Sequence, residues 1–209
     1  MDSVTFVTEA ADQVYKQTAK CVYLVATAFE NADLTVEING RVLLANLRLR
    51  RYGRSLYDQS TARLPLKVRM LEAEAMETTL YGCLTWSPIV GHLAILRMAH
   101  HRLFVPCIGW KSKRRDGYHM LPYADALGKT GCENVETTVR KRKILFAGFV
   151  ARTDNERLPK RAMFGEMEGG QGYSGGQKQD WMGCLEHDLS LFNLPTGAKH
   201  LALAVKDAG

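Results

Sequence analysis

At 209 residues, 46% hydrophobic and 24% charged, the chain has the balance of globular material and enough length for one good core or two small ones, which excludes disorder throughout. Its 28 Lys and Arg against 22 Asp and Glu leave a formal charge of +6 and a pI of about 9.1, which favours polyanionic partners and equally serves solubility. Cys21, Cys83, Cys107, Cys132 and Cys184 are odd in number and far apart without a Cys-x-x-Cys pair, which argues against structural zinc or a disulfide framework and for a reducing, intracellular setting, nucleus or cytoplasm.

Met1-Asp2-Ser3 lacks the basic and apolar regions of a signal peptide, and no apolar run is long enough to span a bilayer, so no membrane partner is expected. Short β-like runs at Val4 to Val7, Gln13 to Gln17 and Cys21 to Val25 predict two or three strands within Val4 to Ala28. So few strands must lean on the following helices or on protein outside the chain. Asn31 or Asp33 caps a helix running toward Tyr52, with Ile38, Val42 and Ala45 on one side. Arg48, Arg50, Arg51 and Arg54 crowd its end, where basic side chains complement the helix dipole. Pro65 opens a helix to about Leu84, with Leu66, Met70, Ala73, Met76, Leu80, Tyr81 and Leu84 as its buried stripe and Glu77 near the stripe's centre. Ser87-Pro88 restarts a helix whose face holds Ile89, Leu93, Leu96, His100, Leu103 and Phe104, so His100 reads as a core histidine. His101 points aside, and no acid or cysteine nearby completes a metal set. Pro106 and Gly109 end this helix.

Gly109 to His119 predicts a loop in which Trp110 and Tyr118 flank Lys111, Lys113, Arg114 and Arg115. Aromatics beside cations can stack bases and neutralise phosphates; the same composition describes an exposed tip. Pro122 opens a short helix through Leu127. The next helix, Asn134 to Arg152, is the most informative stretch, because an amphipathic pattern there carries four consecutive cations. Val135, Val139, Phe146, Phe149 and Val150 fall on one face, with Asn134 as N-cap and Glu136 in the first turn. Arg140, Lys141 and Lys143 project away from that stripe as an electrostatic footprint for phosphate, or as a solvated face. Arg142 lands within the stripe, and Glu77 either pairs with it or lies at the edge of its own stripe in water. Gly165 to Gly176 lacks the Gly-Lys-Ser/Thr ending of a phosphate loop and reads as a connector. Trp181, Cys184, Leu185 and Phe192 share a face of a final helix, and the tail from Leu194 frays.

Motifs for catalysis are not found: there is no Gly-x-Ser-x-Gly, no His-Glu-x-x-His and no carboxylate pair placed for two metal ions. Tyr123-Ala124-Asp125-Ala126 is one aspartate short of the Tyr-x-Asp-Asp signature of reverse transcriptases, and Pro122 with its surroundings reads as helix.

A series of short stretches in fixed order carries a family resemblance: Tyr15-Lys16-Gln17-Thr18, Val22-Tyr23-Leu24, Ala32 to Asn39, Arg50-Arg51-Tyr52-Gly53 and Leu56-Tyr57-Asp58. It continues with Lys67 to Glu74, Leu80 to Trp86, Ala99-His100-His101, Ile108-Gly109-Trp110 and Arg157 to Arg161. With the basic helix, these resemble the C-terminal third of reverse transcriptases encoded by non-LTR, LINE-like retrotransposons, from about Val14 to Phe192. The resemblance implies a mainly α fold, a thumb-like helical bundle with a small N-terminal β-hairpin remnant of a polymerase palm. Its divisions would be 1–30 for the end of the palm, 31–164 for the thumb-like and following region, 165–177 for the Gly-rich linker and 178–209 for the C-terminal helix and tail.

The family's metal-binding aspartates lie upstream of the matched region, so no catalytic residue is carried over. No metal or cofactor is expected in this chain, Mg2+ belonging only to the complete parent polymerase. Leu24-Val25-Ala26 stands where the family has Leu-Gly-Gly, and Cys21 replaces a usual aromatic, which marks a decayed copy. The implied function is that of a catalytically incomplete fragment that grips RNA or DNA through the phosphate backbone without polymerising alone. Lys111, Lys113, Arg114, Arg115, Arg140, Lys141 and Lys143 are the expected contacts, Glu77 and Arg142 a structural ion pair, and the missing palm and fingers a second partner. Two alternatives stand: a helical interaction or scaffold protein without nucleic-acid function, and part of an intact reverse transcriptase whose catalytic N-terminal portion is not in this chain.

Overall fold

A computed structural model describes residues 20–23, 26–29, 33–109, 113–114, 117–118, 121–164 and 181–194. The chain is mainly helical. Of the expected strands, those at Val4 to Val7 and Gln13 to Gln17 lie outside the described residues. The third is β1 (Lys20–Tyr23), and it pairs antiparallel with β2 (Ala26–Phe29) in a hairpin, Lys20 opposite Phe29 and Tyr23 opposite Ala26.

Helix α1 (Thr35–Arg51) begins where Asp33 Oδ1 accepts the Thr35 N–H at 2.8 Å, and the Thr35 hydroxyl first and this amide second hold the Asp33 carboxyl below its usual range. Glu37 in its first turn joins helix to hairpin. One carboxylate oxygen accepts from Arg41 Nε at 2.7 Å, the other from the Thr27 N–H at 2.8 Å. Both charges are buried, and the Arg41 guanidinium also stands 4.5 Å over the Tyr81 ring. A buried ion pair is tolerated only when its remaining bonds are filled, which the Thr27 amide and the ring accomplish here.

A π-helical turn (Gly53–Tyr57) leads to α2 (Leu64–Met70), which continues through a second π-helical stretch, Leu71–Met76, into α3 (Glu77–Thr79). The expected stripe is only half correct. Met76 and Leu80 are buried, but the inner face otherwise runs through Val68, Leu71, Ala75 and Cys83, while Leu66, Ala73 and Tyr81 are exposed. The wider turn at Leu71–Met76 slips the α-helical period, so a stripe drawn at a constant 100° step does not keep to one face across it. Glu77 is rotated outward and is 57% exposed rather than central.

α4 (Val90–Ile108) starts later than the Ser87-Pro88 pair predicts. Its N-terminus is closed by buried His92, whose Nδ1 accepts the Ile89 N–H at 3.3 Å while Nε2 lies 3.1 Å from the Thr35 hydroxyl. Ile89 itself is exposed. Pro106 does not end the helix but sits in its last turn, where it gives up one amide; the stop is Gly109, in the left-handed region at φ 67°. Where a loop was expected, β3 (Lys113–Arg114) pairs antiparallel with β4 (Gly117–Tyr118). Strands of two residues are too short for any periodicity to register. α5 (Tyr123–Thr130) runs past Leu127 to a second left-handed glycine, Gly131, and places Asp125 exposed in its first turn.

α6 (Val135–Ala151) is capped as expected, with Asn134 Oδ1 accepting the Glu136 N–H at 2.9 Å. Asn134→Ala is therefore expected to cost about 1 kcal/mol in urea unfolding, and Asn134→Asp close to nothing. α7 (Leu158–Phe164) and α8 (Trp181–Leu191) complete the described chain. Ile38, Leu71, Leu96, Phe104, Val135 and Val139 lie in one large core shared by α1 to α6. A smaller cluster, Leu185 and Leu189 against Ala147, docks α8 on the second half of α6, where Trp181 Nε1 donates to the Leu84 carbonyl at 2.7 Å.

Candidate nucleic-acid interface

The buried face of α6 is Val135, Val139, Lys143, Ala147, Val150 and Ala151. It is rotated by about 60° from the stripe drawn through Phe146 and Phe149, at 100° per residue. Phe149 is exposed, because the close approach of α8 is made over small Ala147 and not over the aromatic. That rotation exchanges the roles of two cations. Lys143, expected outside, is 1% exposed and sits in the middle of the buried face. Arg142, expected within it, is at the edge and 32% exposed.

Lys143 Nζ lies 3.1 Å from Oδ2 of Asp188 on α8, off the alignment of a hydrogen bond, and Arg140 Nε lies 3.3 Å from Oδ1 of the same carboxylate. Glu136 bridges Arg140 at 3.7 Å to Arg97 at 3.5 Å. Lys141 is exposed and ion-paired with Glu133. All three α6 cations bet on phosphate are thus already matched by acids of the chain, and one of them has no path to solvent. The sequence had no signal for Asp188, which is far from Lys143 along the chain; an aspartate on the apolar side of α8 between Leu185 and Leu189 was the nearest hint.

Glu77 and Arg142 are brought together across α3 and α6: Nη1 donates to Oε2 at 3.1 Å, and Nη2 pairs with Oε1. The pair lies at the surface. Its loss is expected to cost no more than about 1 kcal/mol, well short of a buried pair.

Of the four hairpin cations, Lys113 and Arg114 lie on β3, with Lys113 in register opposite Tyr118 and Arg114 opposite Gly117. Lys111 and Arg115 lie outside the described residues, as does the Gly-rich stretch 165–177. A further basic cluster stands at the end of α1. Arg50, Arg51 and Arg54 are exposed, and none forms an ion pair among the described residues. The Arg51 guanidinium lies 5.8 Å from the Tyr52 ring. A helix dipole acts within its last turn, so it accounts for Arg50 and Arg51 but not for Arg54 beyond the helix.

His100 is a core histidine. Its Nδ1 lies 2.7 Å from the Tyr123 hydroxyl, which also accepts the Val135 N–H at 3.3 Å. Burial, with His101 beside it, pushes the His100 pKa down to about 4. Burial pushes the Tyr123 hydroxyl up. Tyr123 therefore keeps its proton and donates it to a neutral imidazole. Between α4, α6 and α8 is a cleft of about 350 Å³. Pro88, Val90 and Leu93 form one wall, and Lys143 and Asp188 close the bottom with their charges sealed from solvent. No helix among the described residues is long and apolar enough to cross a membrane.

No protein-family model, no curated protein and no solved structure matches this chain.

Proposed function

We propose that the chain holds RNA or DNA by the phosphate backbone, as a catalytically incomplete C-terminal portion of a non-LTR retrotransposon reverse transcriptase. The observation that carries the binding is the exposed arginine cluster at the end of α1, where Arg50, Arg51 and Arg54 form no ion pair among the described residues. The β3–β4 hairpin supplies a second basic element, and the ordered resemblance of short stretches supports the parentage. Relative to the expectation from sequence, the contacts move from α6, where the cations are matched, to Arg51, Arg54, Lys113 and Arg114. Such contacts position a duplex without reading its bases.

The test is fluorescence anisotropy of the purified chain with labelled duplex DNA, an RNA–DNA hybrid and single-stranded RNA over a salt series. Sequence-indifferent binding is expected, its logarithm falling linearly with that of salt concentration. Each contacting cation changed to Gln should flatten the duplex-DNA slope by about 0.9. Lys141→Gln should leave it nearly unchanged. A slope insensitive to all four substitutions overturns the proposal. A second reading, a helical interaction protein, is favoured by large apolar side chains exposed on α1 and α6, among them Leu43, Leu47, Leu145 and Phe149. Salt-independent binding, or none, would favour it.

A further inference from the structure

α1 carries two apolar faces, and the described residues cover one of them. Ile38, Ala45 and Leu49 enter the core. On the opposite side Val36, Leu43 and Leu47 are half exposed or more, Leu43 the most at 62%. With Gly40 they recur at the spacing i, i+4, i+7, i+11, the stripe by which one helix seats on another. Solvent alone gives no reason for such a stripe. Gly40 sharpens the point: a Cβ there would meet nothing within 4 Å. Glycine in a helix interior is unfavourable relative to alanine, and among the described residues nothing needs the space it leaves.

We infer that this face is the contact surface for α1 of a second copy of the chain, packed antiparallel about a two-fold axis. The stripe is its own complement. Turned end for end about the point between Arg41 and Val42, it places Val36 against Leu47 of the second copy and Leu43 into the notch at its Gly40. The same register sets exposed Asp33 opposite exposed Arg50. A two-fold contact repeats each of these pairs.

Charge selects the direction. Arg48, Arg50 and Arg51 occupy the last turn of α1. A parallel pair would oppose those cations to one another, whereas the antiparallel pair sets them toward Asp33 of the second copy and opposes the two dipoles head to tail.

Sedimentation equilibrium of the full chain without nucleic acid, from low micromolar to several hundred micromolar, tests this. A monomer–dimer equilibrium is expected. Leu43→Glu should weaken it by about tenfold or more, since a charge would be buried at the contact centre. Gly40→Leu separates interface from fold: it should raise or preserve thermal stability, because it improves helix propensity in open space, while weakening the dimer by filling the notch. Asp33→Arg and Arg50→Asp should each weaken the dimer, and the double exchange should restore it. A chain that stays monomeric throughout overturns the inference. So does a dimer indifferent to both Leu43→Glu and Gly40→Leu, which would place the contact on another face.

Discussion

Replacing Asp188 by alanine is expected to weaken the docking of α8 by about 3–5 kcal/mol, the largest single effect anticipated for this chain. The side chain is the only carboxylate within ion-pair distance of the Lys143 ammonium among the described residues, and that ammonium is sealed under α8 in a face otherwise formed by Val139, Ala147 and Val150. With the anion gone, a desolvated charge is left in an apolar setting. The cheapest relief is for α8 to lift and let water reach Lys143. Hydrogen exchange across Trp181–Leu191 should therefore accelerate before the large core of α1 to α6 opens, and urea unfolding should lose its single transition. Replacing both partners, Lys143→Met with Asp188→Leu, should recover most of the loss, because an apolar pair of similar volume has no charge to desolvate. Glu77→Ala, which breaks a long-range ion pair at the surface, is the control: it should cost no more than about 1 kcal/mol, since water can solvate Arg142 once it is alone. Equal effects of Asp188→Ala and Glu77→Ala would refute the assignment of Lys143 as the buried charge.

Acidification is expected to destabilise the large core through His100. Its pKa is about 4 in the folded chain against 6.5 for a solvated imidazole. The folded state therefore resists a proton that the unfolded chain accepts. The associated stability is fully present above pH 6.5 and is lost as pH falls from there toward 4. At 1.36 kcal/mol per unit the total is about 3 kcal/mol. Protonation would also turn Nδ1 from an acceptor into a donor facing the Tyr123 oxygen, which already accepts the Val135 N–H, and so strain the junction of α4, α5 and α6. In His100→Gln, an amide oxygen can still accept from Tyr123 but nothing titrates. The wild-type fall in urea midpoint between pH 6.5 and 4 should largely disappear in that variant. A fall of the same size in His100→Gln would assign the acid sensitivity to other groups.

How far the residues alone could be read is clearest along α6. Asn134 as cap and Glu136 in the first turn were legible because a helix start is closed by bonds between near neighbours. The rotation of the helix was not. A stripe drawn through the apolar residues at 100° per residue puts Phe149 inside and Lys143 outside, and the close docking of α8 over Ala147 reverses both. The pairing of Glu77 with Arg142 could be anticipated from two charges lying on apolar stripes, with Glu77 at the edge in water as its alternative; that both hold at once, as a pair at the surface, could not, because the π-helical stretch before Glu77 turned it outward. Of the cations expected to meet phosphate, α6 supplies ones already matched by acids, while the arginines at the end of α1 are explained only in part by the helix dipole, which does not reach Arg54.

By itself the sequence determined that this chain is helical after its hairpin, where most helices begin, that Gly109 stops one of them, and that His100 packs inside. Only the tertiary structure decided which side of each helix meets the core, which lysine is buried, and that Asp188 matches it. The division has a physical cause. Caps and stops are set by hydrogen bonds within a turn or two of chain, whereas burial and charge pairing depend on which distant segment arrives, and an α-helix offers every side until something docks on one.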